Sequence, residues 1–84
     1  MDRNLDITLT FELKEITSRV KSAANDESAR KALPPAFAEI DWSDADELSD
    51  ALFEAIVETV AAAHGFDDER IARLGLLADQ VIDI

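Results

Sequence analysis

The 84-residue chain has no cysteine and no tyrosine, a single histidine and tryptophan, and only two glycines and two prolines. Without cysteine there is no disulfide, no thiolate metal site and no thiol nucleophile. One histidine is too few for a histidine-based metal cluster. Gly65 and Gly75 lie apart, so no glycine-rich loop exists to cradle a phosphate. No stretch approaches the ~18 apolar residues of a membrane span. The opening residues Met1 to Asp6 show neither the basic region nor the apolar run of a secretory leader. These absences lead us to expect a soluble, cytoplasmic protein with no cofactor, no metal and no membrane association.

Eighty-four residues allow one domain, here residues 1–84. A chain this short buries only roughly 60% of its unfolded surface. With disulfides and metals excluded, oligomerisation is the remaining aid to stability, and a homo-oligomer, specifically a dimer, is expected. The apolar fraction of 48% is that of a folded domain.

The most uneven property is charge. The formal net charge is −11, yet residues 1–31 carry six acids and six bases and sum to zero. Residues 70–84 are also neutral, Arg70 and Arg73 offsetting Asp79 and Asp83. Between Lys31 and Arg70 lie eleven acids and not one lysine or arginine. The whole excess therefore sits in the middle of the chain.

Periodicity predicts a mainly α protein, a compact bundle of three to four helices. The N-terminal stretch carries two signals at once. Leu5, Ile7, Leu9, Phe11 and Leu13 alternate with polar residues, as in a half-buried strand. Leu9, Leu13, Ile16, Val20 and Ala23 also share one helical face. The sequence is compatible with a short strand over about residues 4–10, which would need a pairing partner such as a second chain or Val81–Ile84, followed by a helix to about residue 24. In a wholly helical reading Phe11 lies opposite the apolar stripe and is exposed. Asn25 and Asp26 can cap a short helix over 27–33, which Pro34 and Pro35 end, with one further turn over 36–40. Ser43 is the expected N-cap of a main helix over 44–64 that stops at Gly65. Asp67 caps a last helix whose apolar stripe is Ile71, Leu74, Ala78, Val81 and Ile82.

On a helical wheel, Glu47, Asp50, Glu54 and Glu58 form a narrow acidic stripe on the main helix, and nearly everything else on it is apolar. Such a helix is central, covered on several sides. The stripe has a plain reading as a solvated, solubilising face. It has a sharper one as a focused negative field selecting a cationic partner. Like charges at these spacings cost a few tenths of a kcal/mol per pair, which favours the sharper reading.

Other constellations fail on chemistry. Asp41, Asp44, Asp46, Glu47 and Asp50 lack the glycine and the terminal bidentate acid of a calcium loop. His64 has no thiol beside it and no motif-placed serine, and is read as a cation-capable residue at a helix C-terminus. Trp42 is read as a packing anchor. A prosthetic-group carrier would need Asp-Ser-Leu opening a helix, which neither Ser43 nor Ser49 supplies. The expected function is non-enzymatic: an acidic protein-binding domain that docks on, and inhibits, a basic surface of a partner protein. Its stripe would stand where nucleic-acid phosphates otherwise bind, in the manner of small inhibitors, antidotes and phage anti-defence proteins. Direct nucleic-acid binding is disfavoured by the sign of the charge. The expected partner-binding residues are Glu47, Asp50, Glu54 and Glu58, with Phe53 and Val57 as exposed apolar contacts. The competing class is a structural or assembly subunit that acts through homo-oligomerisation.

Overall fold

Satisfying backbone groups within one segment is what decides the N-terminus. In the computed structural model, which describes residues 3–44 and 46–82, a single helix α1 runs from Arg3 to Ala23. The expected strand over 4–10 is therefore absent. A lone strand leaves its N–H and C=O groups unpaired, whereas a helix pairs them internally and sets Leu9, Leu13, Val20 and Ala23 on one buried face. The consequence foreseen for the helical alternative also holds: Phe11 is 68% exposed, as is Ile7. The strand-paired dimer loses its basis with the strand.

Asp26 caps α2 (Glu27–Lys31), its carboxylate accepting from the Ser28 N–H at 3.0 Å. Arg30 of this short helix reaches back across the turn. Its guanidinium donates to the carbonyls of Ala23 and Ala24 at 2.8 and 2.7 Å, satisfying acceptors at the C-terminus of α1. Arg30 also lies over the Trp42 ring, 5.0 Å from its centroid, so one side chain ties the α1 terminus to the segment leading into the main helix. Half-buried Trp42 packs against the core, in keeping with an anchor role. Pro35 opens a single 3-10 turn, Pro35–Phe37, which buries Phe37.

The main helix α3 begins at Leu48 and ends at His64, later than the expected start. Ser43 does not cap it. Its hydroxyl donates to Asp41 Oδ1 at 2.6 Å, and its N–H donates to the same oxygen at 3.0 Å, so Asp41 holds a local turn that competes with capping. Asp44 takes part of the capping role. Its carbonyl accepts from the Leu48 N–H at 3.0 Å, and Oδ1 accepts from the N–H groups of Asp46 and Glu47 at 3.3 and 3.4 Å.

Gly65 ends α3 at φ +65°, with its N–H directed to the Ala62 carbonyl and the Phe66 N–H to that of Ala61, the paired bonds of a Schellman stop. The last helix, α4 (Asp68–Val81), is capped by Asp67, which accepts from the Arg70 N–H at 3.0 Å. The two glycines make opposite predictions. A side chain at Gly65 meets no neighbour but must adopt a left-handed backbone, so Gly65→Ala should destabilise by about 1 kcal/mol. Gly75 lies inside α4 with open space at its Cβ position, so Gly75→Ala should stabilise by about 0.5–1 kcal/mol. Urea unfolding of the two variants checks both signs.

Helix α3 is the hub, packing on α1, α4 and the 3-10 turn, while α1 also meets α2 and α4. Leu52, Ala55, Ile56, Val57, Val60 and Ala61 give it buried side chains over most of its circumference. They join Leu13 and Val20 of α1, Phe37, and Leu74 of α4 in one core. The radius of gyration of 12.6 Å is near the about 12 Å of a compact chain this long. No helix among the described residues is long and apolar enough to cross a membrane.

Candidate functional site

The acidic stripe of α3 is one wall of a groove. Leu48, Ala51 and Ala55 on α3 face Ala36 and Ile40 from the segment before it, forming an apolar floor. Around that floor stand six carboxylates: Glu39, Asp41 and Asp44 on the preceding segment, Glu47 at the N-cap of α3, and Glu54 and Glu58 along it. The open volume is about 350 Å³. Small residues at 51 and 55 are what let the floor lie deep between the two acidic walls.

The structure divides the sequence-predicted residues into groups. Glu47, Glu54 and Glu58 are exposed and share the groove. Asp50 is exposed in the first turn of α3 but does not line it. Phe53 is half-buried and packs on the core. Val57, expected as an exposed apolar contact, is only 7% exposed and belongs to the core. The neighbouring helices cover a wider arc of α3 than the position of the stripe alone implies. Glu39 and the floor itself were not singled out by sequence reasoning, and Asp41 and Asp44 were weighed only as members of a calcium loop. Their signal was present in the lysine- and arginine-free acidic run, but the wheel of one helix could not say which part of the chain lies beside it.

Within the rim, Asp41 is the most constrained group. The Ser43 hydroxyl and then the Ser43 N–H donate to its carboxylate and hold its pKa below the ordinary value of 3.8. The depressed value means that Asp41 favours the folded form above about pH 4 and loses that contribution as pH falls through its folded pKa. Ser43→Ala should move the Asp41 carboxyl upward toward 3.8, as read by NMR titration of the side-chain carbonyl carbon.

At the far end of α3, His64 Nε2 lies 2.6 Å from Glu12 Oε2, and the imidazole stacks on Phe66 with centroids 5.2 Å apart. The pair ties the C-terminal turn of α3 to the middle of α1. No three His, Asp or Glu side chains among the described residues are grouped so as to hold a metal ion. No protein-family model matches the chain, and comparison with curated proteins and with solved structures returned no match.

Proposed function

We propose that this chain is a non-enzymatic acidic binding domain that docks on a basic surface of a partner protein and blocks it. The observation that carries this reading is the groove itself, six carboxylates around an apolar floor with no lysine or arginine between Lys31 and Arg70 to neutralise them. Lysine and arginine side chains have that same two-part chemistry, an aliphatic stem and a charged head. Their stems can lie on Ala51, Ala55 and Ile40 while their heads meet the rim. An opening of about 350 Å³ suits a few such side chains. Surfaces that cluster lysines and arginines are commonly those that bind phosphate, and the rim would occupy them in place of a nucleic-acid backbone. The long-range field speeds the encounter, and the apolar floor supplies contact area that a purely charged surface lacks.

The test is capture of partners on the immobilised chain from the lysate of its native host, at about 50 mM and about 500 mM salt, a range over which exposed charge pairs become strongly screened. The reading expects basic proteins that are retained at low salt, released at high salt, and not retained by Glu54→Lys. Capture of the same proteins by the variant, or retention indifferent to salt, contradicts it.

A further inference from the structure

A second groove, sharing no lining residue with the first, lies between the N-terminal turns of α1 and the length of α4. Its floor is apolar, with Leu5, Leu9, Phe66 and Leu74 among its lining residues, and its open volume is about 470 Å³. Leu76 stands on its edge 70% exposed, and Leu5 is 36% exposed. The groove carries both signs of charge: Asp6 on α1, and Arg70 and Arg73 on α4. These sum to +1, so the remainder of the chain carries −12 of the net −11. Neither Asp6 nor Arg73 has an ion-pair partner within the chain among the described residues.

We infer that a second copy of this chain covers this groove, the two copies meeting face to face about a two-fold axis. Two molecules of charge −11 repel as they approach, and the acidic groove cannot face its own copy. The α1–α4 groove is a place where that repulsion is locally reversed and where charges of both signs flank exposed apolar side chains. A two-fold interface brings one patch onto itself, so the patch must contain its own complement. Here it does: Leu76 and Leu5 give the apolar centre, and Asp6 of each copy finds Arg73 of the other. The outer face of α1 exposes Ile7 and Phe11 as well, but the hollow beside them is smaller, about 320 Å³ against about 470 Å³. Ten residues line the groove, fewer than the about 20–30 per side of a standard stable interface. The dimer is therefore concentration-dependent. It also leaves both acidic grooves free, and does not depend on the function proposed for them.

Sedimentation equilibrium of the full chain from about 10 μM to about 1 mM reads this directly, because the dimer fraction follows mass action. The average mass should climb from 9.2 kDa toward twice that value. Leu76→Glu, at an exposed position that leaves the monomer folded, should weaken association about a hundredfold, because each interface loses two buried leucines and gains two charges. Asp6→Arg and Arg73→Asp should each weaken it, and the two together should restore it. A mass of 9.2 kDa throughout overturns the proposal. So does a dimer that survives Leu76→Glu but is lost with Phe11→Glu, or a charge-swapped double variant no better than the singles.

Discussion

Replacing Ile56 by alanine is expected to remove about 3–4 kcal/mol of stability. Ile56 is 0% exposed at the centre of α3, the one helix that touches α1, α4 and the 3-10 turn together. A cavity there is lined from several sides, and no single neighbour can move in to fill it without opening another gap. For a chain of 84 residues the total stability is roughly 4–12 kcal/mol, so this one change consumes a large share of it. A fall in Tm of about 15 °C or more follows. Thermal unfolding followed by circular dichroism measures it. A shift of only a few degrees would mean that α3 is not the element on which the others are assembled.

The second large effect concerns Glu54, and it runs in opposite directions for stability and binding. Glu54 stands four residues from both Asp50 and Glu58 on the exposed face of α3. Each like-charged pair at that spacing costs a few tenths of a kcal/mol, and a lysine turns both into favourable pairs. Glu54→Lys should therefore stabilise the fold by about 0.5–1 kcal/mol. The same change places a cation in the wall of a groove proposed to receive cations, and should weaken partner binding about tenfold to a hundredfold, with a slower association rate. A solvated, merely solubilising face predicts the gain in stability and no loss of binding. Urea unfolding together with surface plasmon resonance on the captured partner separates the two accounts.

Much of this arrangement can be read from residue order alone, and the places where it cannot are instructive. Asp26, Gly65 and Asp67 mark helix ends through local chemistry, a side-chain acceptor or a left-handed backbone, and each stands where that chemistry puts it. The stripe Ile71, Leu74, Ala78 and Val81 faces inward because α4 is regular and long enough for its period to show. Residues 4–10 were ambiguous for a physical reason. Leu5, Leu9 and Leu13 fit periods of both two and about four, and only the exposure of Ile7 and Phe11 tells the outcomes apart. Ser43 is a good capping residue beside an aspartate that holds it more tightly, a competition that residue type does not settle. Val57 was misplaced because a wheel gives the direction of a side chain but not the width of the arc its neighbours cover. The groove needed still more, the position of residues 36–44 against α3, which no local pattern encodes.

The central claim is that the carboxylates around this groove are a docking surface. Carbodiimide activation in the lysate of the native host, which joins carboxylates to lysines held against them, tests it most directly when the joined residues are identified by mass spectrometry. The account predicts links from Glu39, Glu47, Glu54 and Glu58 to lysines clustered on one face of a basic protein. Links concentrated instead at Asp67, Asp68 and Glu69, equally acidic and equally exposed but outside the groove, would contradict it.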